Sequence, residues 1–336
     1  MSLYNSILII KPGAIGDLLQ MTPVIRELTW LYPHARITML VGSNVTAELF
    51  RHNPHVAEII VFDRKGEHRS FGGLCGLWRR LRGARYDLVL NFQRSNVKNW
   101  FLATAAFPCR VLIYHKSRKM GIHAVADHLK TLAPLKIFTN DLTLEFFVSP
   151  EAEAYADNLF MDRRFIGKKV VALNPGASHP VNRWDPRKFA ELADRLCEDA
   201  GIEVMVVGGK EDIPFTDSIA AFSRSRLTLL TGKTTLAELG SILKRCDLLV
   251  SGDTGPMHFS TAVGTKVVAL FGAADPGRTG PVGQGDRVIQ ATSVSCVPCR
   301  SRKCSNPIYL ECMEKITVDE VYQAVMALIA KSNKSC

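Results

Sequence analysis

The chain opens on an unbroken apolar run at residues 6–10, halted by Lys11-Pro12-Gly13. Runs of that length without a polar partner fit strands buried on both faces of a parallel sheet. The period then changes. Leu18, Leu19, Val24, Ile25, Leu28 and Leu31 recur at helical spacing as far as Tyr32, which predicts one helix. Strands are expected at 35–41 and 56–62, with a short helix at 44–51 between them. A basic helical segment follows at 78–86, then strands at 88–92 and 110–114, a helix at 127–135, and a last strand edge at 146–150. Alternation of this kind with short loops predicts a doubly wound parallel sheet.

Residues 151–162 read as a polar helical connector, after which the pattern restarts. Strands are expected at 168–174, 203–207, 227–230, 247–250 and 267–271, with helices at 189–199 and 236–244. An amphipathic helix at 317–331 ends the chain. The expected division is a first domain at 1–150, a linker at 151–167, a second domain at 168–316 and a closing helix at 317–336. A length of 336 residues, about twice a usual domain, suits two domains. With 47% apolar and 22% charged residues, the chain can fill a large core. No apolar run approaches the roughly 18–20 residues of a membrane span, and a signal-type start is missing, so a cytoplasmic protein is expected.

Candidate chemistry gathers at strand ends. In the second half, Gly and polar residues sit together at 174–178, 208–212 and 251–255, on the edge where open α/β sheets bind ligands. Ser251-Gly-Asp-Thr-Gly-Pro-Met-His258 ends a strand and leads into small and apolar residues able to open a helix. Unpaired amides at Thr254 and Gly255, with the helix dipole, suit a phosphate or diphosphate. The same residues also suit a plain turn, with Asp253 as N-cap and His258 at the surface. In the first half, Lys11-Pro-Gly-Ala-Ile-Gly-Asp17 spells G-x-x-G, which is neither the dinucleotide fingerprint nor a Walker loop. Asp17 there is open to two readings, a helix cap or a general base. Gln93-Arg94-Ser95-Asn96 ends another strand and would face the same crevice.

Charge is lopsided. Residues 1–150 hold 19 Lys/Arg against 10 Asp/Glu, and within 64–119 there are 13 basic and two acidic residues. Such a field attracts polyanions: nucleic acid, an anionic membrane surface, or a phosphorylated or carboxylated substrate. No aromatic platform is interleaved with it and no helix-turn-helix or zinc-finger spacing occurs, which weighs against nucleic acid. Five cysteines (Cys75, Cys109, Cys197, Cys246, Cys336) are scattered. Cys296, Cys299, Cys304 and Cys312 are clustered, and their C-x2-C-x4-C-x7-C spacing suits either a tetrahedral zinc or reduced thiols packing a loop.

The motifs Lys11–Asp17, Asn174-Pro-Gly-Ala, Arg183-Trp184, Gly208-Gly-Lys-Glu-Asp212 and Asp253-Thr-Gly-Pro-Met-His258 together resemble the lipopolysaccharide heptosyltransferases of glycosyltransferase family nine. The resemblance implies a GT-B fold, two Rossmann-like domains facing across a cleft, acceptor on the first and nucleotide sugar on the second. It implies transfer of L-glycero-D-manno-heptose from ADP-heptose to Kdo–lipid A or a core heptose, with inversion and no required metal. Asp17 matches the family's general base. Asp253, Thr254, Gly255 and His258 match its donor motif, and Arg183 and Ser178 lie beside it. Glu211 and Thr234 fall near the ribose and adenine positions. Where many members place a Lys two residues before the Trp, this chain has Asn182, so the phosphate contact passes to Arg183, Lys210 or Arg278.

The basic first half then gains an acceptor. Lys11, Gln93, Arg94, Lys116, Arg118 and Lys119 are expected acceptor contacts. With Arg79, Arg80, Arg82 and Arg85, the last three would dock anionic glycolipid at the inner face of the inner membrane. A peripheral monomer is expected. Two competing readings keep the fold: a different nucleotide-sugar donor, or a non-catalytic binder of anionic glycolipid or nucleic acid. The carboxylates of Asp17 and Asp253 argue against the binder, since an anion site needs neither.

Overall fold

The structure, a computed structural model, describes residues 4–93, 97–117 and 121–332, the side chains of Asn99 and Ser332 excepted. The chain folds as two units, Met1–Phe147 and Val148–Cys336. The expected acceptor contacts Arg94, Arg118 and Lys119 lie outside the described residues, as does Cys336.

In the first unit, strands β1 (Ser6–Ile10), β2 (Arg36–Val41), β3 (Glu58–Val61), β4 (Leu88–Asn91) and β5 (Arg110–Ile113) form one parallel sheet in the order β3-β2-β1-β4-β5. The apolar runs are strands because both of their faces are covered. Ile7, Leu8, Ile9 and Ile10 all have no exposed surface, as parallel strands between helical layers require. The order reverses between β1 and β4, where Ile10 stands opposite Asn91. Such a reversal opens a crevice at the carboxyl ends of the strands.

The second unit repeats the plan with β6 (Val170–Asn174), β7 (Glu203–Val206), β8 (Thr228–Leu229), β9 (Leu248–Gly252), β10 (Lys266–Phe271) and β11 (Arg287–Gln290). Their order, β11-β10-β9-β6-β7-β8, is parallel throughout. Read outward from its centre, this is the arrangement of dinucleotide-binding sheets, with its reversal between β6 and β9. There Asn174 stands opposite Ser251.

Several expectations are corrected. Residues 146–150 form no strand; Ser149 caps the helix Pro150–Phe160, its side chain accepting from Ala152 N–H with Pro at the first helical position. That helix packs on Leu236–Arg245 of the second unit rather than spanning as a connector. The helix expected from Leu18 to Tyr32 is two, Ile15–Leu19 and Thr22–Leu31, parted at Gln20-Met21. Strand β11 escapes the pattern, because an edge strand with exposed Arg287 and Val288 has no apolar run to betray it.

The closing helix Val318–Ser332 lies on the second unit's own sheet and on the helix Pro186–Ala200. Val321, Val325, Leu328 and Ile329 join Phe189, Leu192 and Leu196 in one core. Each such side chain contributes about 1.5–3 kcal/mol on burial, which explains why the stripe stays there. Trp184 anchors the approach, its indole N–H donating to Ile316 O at 3.0 Å.

Candidate active-site residues at the two sheet reversals

In the first unit, Lys11-Pro-Gly-Ala leaves the end of β1 and enters the short helix Ile15–Leu19. Asp17 lies inside its first turn and is exposed, while the N-cap is Ala14, with no side-chain cap. The capping alternative for Asp17 is therefore not realised. Gly13 lets the carboxylate in close. A Cβ on Gly13 would stand 3.0 Å from Asp17 Cβ, 3.3 Å from its Oδ2 and 3.5 Å from Lys11 Cε. Lys11 itself is 7% exposed, and its Nζ lies 3.5 Å from His128 Nε2. Gln93 follows β4, half-buried, with its backbone N–H donating to Asn91 Oδ1 at 2.9 Å. Asp17 follows β1 and Gln93 follows β4, the two strands that flank the sheet reversal.

The basic segment, expected as a helix at 78–86, lies on and just past the helix Phe71–Gly83, capped by Ser70, with Arg85 beyond its end. It is less free than its composition suggests. Arg80 pairs with Glu58 at 2.8 Å, and Arg82 donates to the carbonyls of Ala105 and Phe107. Arg79, Arg85 and Lys116 are exposed.

In the second unit, the polar residues knit the reversal together. Asn174 is buried at the end of β6, and its Nδ2 donates to Gly176 O (3.2 Å), Ser251 Oγ (3.0 Å) and Thr254 Oγ1 (3.1 Å). Asn182 Nδ2 donates to Asp253 O at 3.3 Å, and Gly252 has no room for a Cβ because Asn182 O would stand 2.4 Å away. The helix Gly255–Ala262 begins here with Thr254 as N-cap and no side-chain cap. Asp253 is therefore one residue too early to cap it, and His258 is 5% exposed, not a surface residue. Because Pro256 has no N–H, the first-turn amides left without helical acceptors are those of Thr254, Gly255 and Met257. Amides so placed, with the helix dipole, are chemically suited to an anion.

The β7 end adds Asp212, a member of the motif to which the sequence assigns no role. It is 9% exposed and accepts from Gly209 N–H at 2.9 Å. Burial pushes its carboxyl above the ordinary range, against the lowering pull of that hydrogen bond and of Arg183. A Cβ on Gly176 would fall 2.2 Å from its carboxyl carbon, so the β6 and β7 loops interlock through a missing side chain. Arg183 is committed within this loop cluster. Its Nε and Nη2 donate to Ala177 O at 2.9 and 2.7 Å, and it lies 4.6 Å over the Phe215 ring. Ser178, Glu211 and Lys210 are exposed beside it, and Thr234 and Arg278 are half-buried. Asn174 and Asp212 are legible only as strand-end polar residues; their partners lie up to 80 residues away.

Cys296, Cys299, Cys304 and Cys312 line one small cavity of about 20 Å³ with Val181, Asn306 and Glu311. Cys304 Sγ accepts from Leu310 N–H at 3.3 Å, and Cys312 is buried. Of the two alternatives for the cluster, zinc gains no support from the placement of these side chains. Among the described residues, no three His, Cys, Asp or Glu side chains stand together as metal ligands.

Comparison with known proteins gives the arrangement a context. The model of a family described as "Glycosyltransferase family 9 (heptosyltransferase)" matches residues 74–310. The chain is 30% identical over 287 residues to lipopolysaccharide heptosyltransferase 3 of Escherichia coli (strain K12), covering 77% of this chain and 80% of that protein. Its fold is similar to the crystal structure of a family 9 glycosyl transferase from Veillonella parvula DSM 2008, with a TM-score of 0.86 at 23% identity, covering 97% of this chain and 98% of that one. It is also similar to E. coli ADP-heptose LPS heptosyltransferase II, with a TM-score of 0.80 at 22% identity over 98% and 99% of the two chains. The two parallel-sheet units are those of a GT-B fold.

Proposed function

This chain belongs to glycosyltransferase family 9, the heptosyltransferases, and we propose that it transfers L-glycero-D-manno-heptose from ADP-heptose to the lipopolysaccharide inner core, with inversion and with Asp17 as general base. The observation that carries the reading is the unlike equipment of the two sheet reversals. The first offers an exposed carboxylate that caps nothing; the second offers an uncapped helix N-terminus tied to both flanking strands by Asn174.

In this reading the acceptor hydroxyl oxygen bonds to the anomeric carbon as its proton passes to Asp17. The bond from that carbon to the diphosphate oxygen breaks with its electron pair, and ADP leaves. Attack opposite the leaving group inverts the centre. Charge developing on ADP is what the amides of Thr254, Gly255 and Met257 and the helix dipole are placed to stabilise. Asp253 and His258 contact the sugar or diphosphate, Ser178 and Arg183 line the phosphate side, and Glu211 and Thr234 take the ribose and adenine. Gln93, Arg79, Arg85 and Lys116 meet the phosphates and carboxylates of the acceptor at the membrane's inner face. Such contacts weaken in salt, so the acceptor KM rises as salt is added.

The test pairs a donor screen with one variant. ADP-heptose, UDP-sugars and GDP-sugars are offered with heptose-free lipopolysaccharide as acceptor. ADP-heptose alone is expected to turn over; use of another sugar nucleotide in its place overturns the donor. Asp17→Ala is expected to stop transfer while ADP binding stays as in the wild type. Near wild-type turnover by that variant removes Asp17 from the base role.

A further inference from the structure

Lys11 reads as an acceptor contact in the sequence, yet its side chain runs inward. It is 7% exposed, with Nζ 3.5 Å from His128 Nε2 and 6.0 Å from the centre of the Tyr114 ring. His128, on the helix Ala124–Leu129, is 3% exposed and packs edge-on against Phe92 and Tyr114. The Tyr114 hydroxyl donates to Asp127 Oδ2 at 2.9 Å, as does Ser117 N–H. The Lys11 ammonium has no acceptor lone pair, so in this contact it can only donate, to the imidazole nitrogen.

Gly13 stands between Lys11 and Asp17. The Lys11 Cε and the Asp17 Oδ2 both lie within 3.5 Å of the point that a Gly13 side chain would occupy. A buried ammonium is costly unless an anion answers it. Among the described residues, Asp17 lies across Gly13 from it, and Asp127 accepts from the hydroxyl of Tyr114, whose ring Lys11 faces.

We propose that Lys11 is a positioning residue for Asp17: gripped by His128, it holds the carboxylate where the acceptor's proton must arrive. The proposal rests on the reading of Asp17 as the base. It assigns His128, 117 residues further along the chain, a role that no motif suggests.

Steady-state kinetics of Lys11→Met, Lys11→Arg, His128→Leu, His128→Gln and Asp17→Asn test it, with ADP affinity and thermal melting as fold controls. Misplacing a reacting group by about an ångström costs on the order of a hundredfold. Lys11→Met and His128→Leu are therefore expected to lower kcat by about 10- to 100-fold, with the acceptor KM and ADP affinity within about twofold of wild type. Lys11→Arg and His128→Gln, which keep the charge and the acceptor, recover most of that loss. A raised acceptor KM with unchanged kcat in Lys11→Met makes Lys11 a substrate contact and overturns the proposal, as does unchanged kcat in both Lys11→Met and His128→Leu. If Lys11→Met does not fold, the His128 pair decides alone. Wild-type turnover by Asp17→Asn defeats the base reading itself. Loss of turnover in Asp17→Asn beside unchanged Lys11→Met and His128→Leu defeats only the Lys11 inference.

Discussion

Asp17 stands against Gly13 so closely that a Cβ on the glycine would lie 3.0 Å from Asp17 Cβ and 3.3 Å from its Oδ2. The glycine is there for space, since its backbone is not among the positive-φ glycines. Gly13→Ala therefore folds, shifting the carboxylate by a few tenths of an ångström. The expected result is a kcat lower by about tenfold, with melting temperature and ADP affinity nearly unchanged, because small displacements of a reacting group are costly. Unchanged kcat shows that Asp17 is not held to a fixed place.

A second missing side chain has the opposite consequence. At Gly176 a methyl group meets the buried Asp212 carboxyl at 2.2 Å, and Asp212 is also held by Gly209 N–H. Gly176→Ala must push apart two loops of the second unit. The expected cost is about 1–3 kcal/mol of stability, typical of overpacking, together with weaker ADP binding. Chemical denaturation and calorimetric titration measure the two effects. A variant as stable as wild type shows that the β6 and β7 loops yield freely.

Asp194 gives the second unit an acid-sensitive lock. Burial alone would raise its carboxyl, but hydrogen bonds from Ser223 Oγ (2.6 Å) and the N–H groups of Arg224 and Ser225 (both 3.0 Å) outweigh burial and hold it below the ordinary value. A folded-state value below the unfolded one means that the folded state binds fewer protons. The stability from Asp194 is therefore complete above the ordinary Asp value and is lost as pH falls through the lowered one. Melting curves of wild type and Asp194→Asn should differ most near neutral pH and converge in acid, below about pH 4. A constant gap across that range removes Asp194 as the source.

Thiol labelling separates the cysteines. Cys246 is buried, and burial drives its thiol far above the ordinary range, whereas Cys296 and Cys299 are exposed. Since the thiolate is the reactive form, Cys296 and Cys299 should react in the native protein and Cys246 only on unfolding. Slow labelling of the exposed pair that a chelator speeds up, with zinc released, would show that the cluster does hold metal.

The legible part of the fold is the part made by local pattern. Parallel strands covered on both faces must be apolar throughout, so β1, β6 and β10 stand out as runs, and the Gly-rich turns after β1, β6, β7 and β9 mark the edge where ligands bind. The same physics hides β11, an exposed edge strand, and makes 146–150 a false strand whose Ser149-Pro150 in fact starts a helix.

Strand order and the buried polar contacts are decided by tertiary structure alone. Composition and spacing place Asp17 and Asp253 at strand ends, but nothing local says that Lys11 turns inward to His128, that Arg183 is spent on Ala177 O, or that Asn174 reaches Ser251 and Thr254. The Lys11 and Asn174 pairs join residues on separate elements, whereas Arg183 and Ala177 share the loop after β6. Whether a polar side chain meets ligand or protein depends on which strands become neighbours, and sheet assembly, not local preference, determines that.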